Sequence, residues 1–591
     1  MRDKVIRKWV VQIFLISVIT TVILMLHLSR TQTHEADTKR AIENRKQQIL
    51  DKLRLERVHE LQMTIFQQLK RPPDEKYNIN VSMSDRLPLE RDILDSRPEQ
   101  CKHIVYNVNA LPTITVIIPF YNEALSMLLR TVHSILTRTP SVLLKEIILV
   151  NDASPNEDLA EPLEKYVKLL PKVQLVQTMK REGLIRARMI GAGMASGEVL
   201  MFQDAHTENN VQWAEPLLVE IRKNKMTVIQ PQIDAIEQWT IEYTGSQMDV
   251  PRGGFTWDLR YVWMRMPEHE RKRVGAVWKP HRTGTLVGCA LMVHKETFFK
   301  LGGFDDGMNV WGGENIELAF RYWLCGGQVL NHPCSRVGHV FKPFAYSFDG
   351  DREVIVQKNQ MRIAELWMDD WKKYFYAATY AWVFKRTYLN KEERATLEKR
   401  RQIKESNGCR KGFKWYMDTI VQEIPTPKME AQYYGEVTNL KSEACLYLAN
   451  DSYVAMTYSC FFHRLFPENI FYIDTNGRLL HQKSQECIRI ETSTWLLKLG
   501  PCLTDNKDEK WDVISTNFYE GAIRVKIFHP NTQKIEDMCV TQVTNINKVH
   551  YREQMAQVLP CETDKHSEFQ LWRWQYKFDF NYNFDPPQNE D

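Results

Sequence analysis

Asp204-Ala205-His206 follows a run of apolar residues, and its spacing has chemical meaning. Side chains two apart on an extended chain point the same way, so this carboxylate and imidazole can reach one divalent cation. His339 is a candidate third ligand. Oxygen and nitrogen donors with positions left open suit Mn²⁺ carrying a diphosphate. A metal so held neutralises charge on a leaving phosphate. Taken alone, an Asp-x-His also reads as a capping acid followed by a polar loop histidine. A second block is Trp311-Gly312-Gly313-Glu314-Asn315-Ile316-Glu317. Its glycines permit positive φ or close approach to a ligand. Ile316, Leu318, Ala319, Phe320 and Trp323 then follow helical spacing. Glu314 and Asn315 therefore fall in a first turn, where outward N–H groups favour negative charge. By itself Glu314 reads as a surface acid that complements the helix dipole. Beside Asp204, His206 and His339 it reads as the wall of a ligand site.

The segments that must position these residues have an α/β pattern. Residues 114–119, 146–150, 173–177 and 198–202 are short apolar runs, and amphipathic or small-residue helices are expected over 122–136 and 184–195. Strand, helix, strand repeated in this way predicts a parallel sheet with right-handed crossovers. Ligands bind at the carboxyl ends of such strands, which is where Asp152 and Asp204 fall.

A net charge of +4 over 591 residues excludes a strongly basic nucleic-acid-binding protein, and the length calls for several domains. Arg2, Lys4, Arg7 and Lys8 precede residues 9–28, which hold no Lys, Arg, Asp or Glu. Twenty such residues suffice to cross a bilayer, and no small-residue cleavage site follows. The expectation is a type II anchor with residues 1–8 cytosolic, a polar stem over 29–78 and everything beyond it luminal. The eleven cysteines form no Cys-x-x-Cys pair. In an oxidising lumen they read as disulfides with one left over. Asn80 and Asn450 stand in glycosylation sequons.

After a proline-marked linker at 421–432 the character changes. Three stretches, beginning at Cys445-Leu446-Tyr447, Cys487-Ile488-Arg489 and Cys539-Val540-Thr541, repeat a pattern of short apolar runs and turns. A threefold repeat of this kind predicts a pseudo-symmetric all-β unit over 433–591. Each repeat has room for one local disulfide: Cys445–Cys460, Cys487–Cys502 and Cys539–Cys561.

Taken jointly, these motifs resemble the polypeptide N-acetylgalactosaminyltransferases, which begin mucin-type O-glycosylation. The resemblance rests on the block 311–317 and on Cys334-Ser335-Arg336-Val337-Gly338-His339. Phe120-Tyr121-Asn122-Glu123-Ala124, Arg181-Glu182-Gly183-Leu184 and the stretch 359–374 support it. It implies a nucleotide-sugar glycosyltransferase A-type, Rossmann-like α/β catalytic domain (79–420) followed by a ricin-type β-trefoil lectin domain, anchored in the Golgi membrane. It further implies retaining transfer of GalNAc from UDP-GalNAc to Ser or Thr of protein or glycopeptide acceptors, with Mn²⁺. By position, Asp204, His206 and His339 match the metal ligands, and Trp311, Glu314 and Asn315 match the catalytic block. Asp152, Arg181, Lys342 and Tyr346 match the surroundings of the nucleotide sugar, and Phe341 matches the acceptor side. Cys101–Cys334 and Cys325–Cys409 are the disulfides implied in the catalytic domain.

The chain departs from the family pattern at three points. Cys289 stands where the family has a glycine near the donor sugar. Lys342 stands for an arginine. Tyr447, Arg489 and Thr541 occupy the positions where sugar-binding lectin repeats carry Asp. These departures also fit a second reading: a catalytically weakened member that binds peptides or glycopeptides, or a transferase with a changed donor or acceptor.

Overall fold

Ile114–Phe120 (β1) is buried along its whole length and lies inside a mixed sheet. Helix α1 (Leu125–Arg138) returns the chain to β2 (Leu144–Asn151), and β3 (Val173–Gln177), helix α2 (Leu184–Met194) and β4 (Val199–Gln203) follow. These four strands are parallel and lie in the order β3-β2-β1-β4. They realise the strand–helix alternation that the sequence requires. Helix α1 begins later than its spacing suggests because Asn122 takes φ 49° and its amide donates to Ser154 Oγ at 2.9 Å. That turn leaves Glu123 ahead of the helix. This computed structural model describes residues 77–591 apart from 247–250, 343–346, 380–387, 450–451, 458–465, 504–509, 517–518, 530–531, 545–553, 563–567, 579 and 581–591. The expected anchor at 9–28 lies outside the described residues, among which no helix is long and apolar enough to cross a membrane.

Beyond β4 come β5 (Thr207–Asn209), β6 (Thr227–Ile236), β7 (Ala290–His294), helix α3 (Glu314–Leu324), β8 (Gln328–Val340) and helix α4 (Arg352–Trp367). Here the sheet departs from the all-parallel expectation. β7 runs antiparallel between β4 and β6, while β8 is parallel to β6. The consequence is local: the start of β7 lies beside the carboxyl end of β4, and the Asp204 amide donates to the Cys289 carbonyl at 2.8 Å. β5 pairs antiparallel with the end of β8, where His339 lies opposite Thr207.

The carboxyl-terminal part is all-β. Hairpins Cys445–Ala449/Tyr453–Thr457, Cys487–Glu491/Leu496–Gly500 and Lys534–Thr544/Gln554–Pro560 are joined through their second strands, each of which pairs with the other two. Leu446, Ile488 and Val540, one from each repeat, meet in a shared core with Trp511, Trp572 and Trp574. A second cluster crosses to the α/β part: Tyr434, Tyr472, Tyr576 and Phe578 are buried with Phe255, Trp257 and Tyr374. Tyr576 Oη donates to Asp258 at 2.8 Å, and Trp257 Nε1 and Tyr434 Oη both donate to the Pro425 carbonyl at 3.1 Å.

Disulfides join Cys101–Cys334, Cys325–Cys409, Cys487–Cys502 and Cys539–Cys561. Cys445 is also disulfide-bonded, and its expected partner Cys460 lies outside the described residues. Cys289 is the free, buried cysteine among the described residues. Asn80 caps the short helix Val81–Arg86 through its side-chain oxygen, and Asn450 lies outside the described residues.

Candidate active site

The Asp204–His206 pair does not lie on a strand, as its spacing suggests, but in the turn between β4 and β5. Thr131 of α1 pins this turn. Its Oγ1 lies 3.0 Å from the Ala205 carbonyl and accepts the Thr207 amide at 3.0 Å. His206 is tied to the end of β8 through its carbonyl, which accepts the Val340 amide at 3.1 Å. A turn held from two sides brings one ligand atom from each of Asp204, His206 and His339 within 4.8 Å of one another. The two imidazole rings stand 4.8 Å apart, and His339 Nε2 is 3.4 Å from Asp204 Oδ2. Neither ring nitrogen of His339 makes a hydrogen bond among the described residues. Burial would raise the Asp204 carboxyl, but His339, Arg188 and His206 outweigh it and hold the group below its ordinary value. Burial also lowers the His339 imidazole, which favours the neutral ring.

Glu314 is buried, with only 4% exposure, so the surface-acid reading is ruled out. Gly313 caps α3 at φ 89°, and a Cβ there would lie 2.9 Å from Ile363 of α4. That close packing turns the first residue of α3 inward. Glu314 then accepts the Gly312 amide at 3.1 Å and an Arg188 N–H at 3.2 Å. The same Arg188 guanidinium donates to Asp204 at 3.1 Å and to the Gly288 carbonyl at 2.7 Å. Asn315 donates to the Leu286 carbonyl at 2.6 Å. Asn359 of α4 holds the preceding loop through the Asn309 and Trp311 carbonyls at 2.8 and 3.2 Å.

Asp152, just past β2, orders the neighbouring loop. It pairs with Arg181 and accepts the amides of Glu182 and Gly183 at 2.7 and 2.9 Å. The Arg181 guanidinium lies 3.6 Å over the Tyr121 ring.

Residues 115–298 match the family model described as glycosyl transferase family 2, and 274–344 match the N-terminal domain of galactosyltransferase. The chain is 42% identical over 383 residues to polypeptide N-acetylgalactosaminyltransferase 4 of Mus musculus, spanning 64% of each chain. It is 37% identical over 454 residues to polypeptide N-acetylgalactosaminyltransferase 6 of Homo sapiens, covering 74% of this chain and 72% of the relative. The chain belongs to the polypeptide N-acetylgalactosaminyltransferase family. A crystal structure of GalNAc-T7 with UDP, GalNAc and Mn²⁺ superimposes on this family member with TM-score 0.57 and 29% identity, over 85% of this chain and 89% of that one. The chain thus spans a little under or over two thirds of the length of its curated relatives.

Within this family member, the two departures of the α/β part, Cys289 and Lys342, sit close to the site. Cys289 is buried, and burial, reinforced by the Asp204 charge, pushes its thiol well up. Lys342 is committed to Glu123, donating to both carboxylate oxygens at 2.9 and 3.2 Å. Phe341 is half exposed, with its ring edge-on to His339 at 4.7 Å. Tyr346 lies outside the described residues.

Sequence reasoning missed two residues. Arg188 lies in a helix of small and apolar residues, where a cation passes for a solvated face. Glu123 follows β1 at a carboxyl end, as Asp152 follows β2 and Asp204 follows β4. The strand-end rule applied evenly would have found it.

Proposed function

We propose that the protein transfers GalNAc from UDP-GalNAc to Ser and Thr hydroxyls of proteins in the secretory pathway, with the anomeric configuration retained. The observation that carries this reading is the convergence of Asp204, His206 and His339 beside a Glu314–Arg188–Asp204 chain whose Glu314 and Arg188 are buried. Family membership, and a relative crystallised with UDP, GalNAc and Mn²⁺, support it.

The donor set suits Mn²⁺. One carboxylate and two imidazoles converge, and His339 keeps both ring nitrogens without a hydrogen bond among the described residues. Held there, the metal would act as a Lewis acid toward the leaving diphosphate. The protein's own part is to position groups and to stabilise charge. Arg188 keeps Glu314 and Asp204 close together with one cation. Asp152 shapes the 181–183 loop for the nucleotide. Trp311, Glu314 and Asn315 wall the sugar, with Glu314 as an electrostatic and positioning group. Cys289 borders the same space, and Phe341 offers an exposed ring on the acceptor side.

The proposed organisation is a cytosolic tail at 1–8, an anchor at 9–28, a stem at 29–78, a catalytic domain at 79–420, a linker at 421–432 and a β-trefoil at 433–591, placed in the Golgi membrane. The paired second strands of the three hairpins support the trefoil. Its repeats carry Tyr447, Arg489 and Thr541 where a sugar-accepting Asp is needed, and Gln570 Nε2 bonds Thr541 Oγ1 at 3.1 Å. The trefoil is accordingly read as a scaffold.

The test is sugar transfer by the full chain, purified in mild detergent, from a panel of UDP-sugars to naked and pre-glycosylated Ser/Thr peptides with Mn²⁺. Transfer from UDP-GalNAc is expected, together with its loss in His206→Ala. UDP binding without transfer to any peptide would instead favour the peptide-binding reading. Transfer from another UDP-sugar in preference to UDP-GalNAc would point to Cys289 as the residue that reshapes the donor pocket.

A further inference from the structure

A second layer of charge lies behind the Asp204–His206–His339 trio, and the reading above leaves it unused. Glu123 is buried just past β1. Its Oε2 lies 2.7 Å from His206 Nδ1, and its Oε1 accepts the Ala124 amide at 3.1 Å. Lys342, three residues beyond His339, donates to both oxygens. One carboxylate thus connects the end of β1, the turn after β4 and the end of β8, and the latter two carry the three candidate ligands.

The two histidines are not equivalent. His206 Nδ1 is engaged, whereas neither nitrogen of His339 is hydrogen-bonded among the described residues. An ionised carboxylate only accepts, so the 2.7 Å contact places a proton on His206 Nδ1, and in the neutral imidazole the lone pair then lies on Nε2. Metal-bound histidines use such partners to fix tautomer and ring direction.

We propose that Glu123 is a positioning residue for the cation site, holding His206 with Nε2 toward the metal, and that Lys342 acts on the site by holding Glu123. The proposal rests on the metal-site reading above and adds two residues to it. The competing account is a buried ion pair with a structural role alone. That account predicts that removing both charges together, with near-isosteric neutral side chains, leaves metal affinity intact.

The experiment is calorimetric titration of Mn²⁺ alone, without donor, into the full chain in mild detergent. The variants are Glu123→Gln, Lys342→Met, the double variant and His206→Ala, with metal-free melting recorded for each. Glu123→Gln is expected to bind Mn²⁺ roughly 10- to 100-fold more weakly. The double variant, which leaves no unpaired buried lysine, is expected to match Glu123→Gln within about twofold, because the hydrogen bonds of Lys342 among the described residues both go to Glu123. A double variant that binds Mn²⁺ like the parent would overturn the positioning role. Losses that add in the double variant would overturn the stated role of Lys342. If the parent binds no Mn²⁺, or His206→Ala binds it unchanged, the metal-site reading fails first and the proposal falls with it.

Discussion

Arg188 carries more of the site than its place in the sequence suggests. It is almost wholly buried and donates to Glu314, Asp204 and the Gly288 carbonyl at once. A planar guanidinium has enough fixed donors to serve three acceptors in one plane, which an ammonium on a flexible stem does not. Removing it leaves the buried Glu314 and the half-buried Asp204 without this cation, and breaking a buried pair in this way costs about 3–5 kcal/mol. Arg188→Met is therefore expected to lower the melting temperature by several degrees and to abolish measurable transfer. Arg188→Lys should restore part of the stability but little of the rate. Thermal melting and initial-rate assays check both, and an unchanged melting temperature in Arg188→Met would show that the three contacts carry no energy. Asp204, His206 and Glu314 were legible as candidates at this scale only jointly, because each alone also fits a capping or surface role. Arg188 was not, since nothing in a run of residues states which helical face meets the sheet.

The turns after the strands, rather than the strands, do the positioning. Asp152 holds the amides of Glu182 and Gly183, Gly183 sits at φ 86°, and the Leu184 amide donates to the Val310 carbonyl at 2.8 Å. A Cβ at 183 would lie 2.5 Å from the Val310 Cα, in the loop that leads into Trp311. The 181–183 loop and the Trp311 block are thus packed together at a position that only glycine fits. Gly183→Ala is expected to cost about 1–3 kcal/mol from backbone strain alone, and more from the contact with Val310. It should also weaken UDP binding, because the loop must move away from Asp152. Urea unfolding and UDP titration read the two effects; an alanine variant with unchanged UDP affinity would separate the loop from the nucleotide site. The sequence pattern anticipated the parallel strands and helices of this half. It did not anticipate β7 antiparallel between β4 and β6, because a five-residue apolar strand has the same pattern in either direction. Direction there depends on where the long excursion between β6 and β7 re-enters the sheet.

At the level of the molecule, the all-β part is built into the α/β part rather than merely tethered to it. Tyr434, Tyr472, Tyr576 and Phe578 complete an aromatic cluster around Trp257 and Tyr374, and Tyr576 hydrogen-bonds Asp258. Aromatic side chains of this size dominate the energy of such an interface. Ending the chain after Pro425 would expose Trp257 and leave the buried Asp258 without the Tyr576 hydroxyl. The truncated protein is expected to bind a hydrophobic dye and to aggregate at temperatures where the full chain stays soluble. Light scattering during a thermal ramp checks this, and a truncated chain as soluble as the parent would show that the two parts fold independently.

Composition and local pattern were enough for the α/β and all-β halves, the threefold repeat, one cysteine left over from pairing and the ligands Asp204, His206 and His339 as candidates. Each of these depends on residue type and short-range periodicity, which survive in one dimension. Three facts needed the folded chain. Asp204 and His206 converge through a turn held by Thr131 and Val340. Glu314 points inward to Arg188. Glu123 joins His206 and Lys342, which lie 83 and 219 residues further along the sequence. Contacts of that kind are made between side chains from separate elements, and their partners are chosen by packing, which residue order alone does not encode locally.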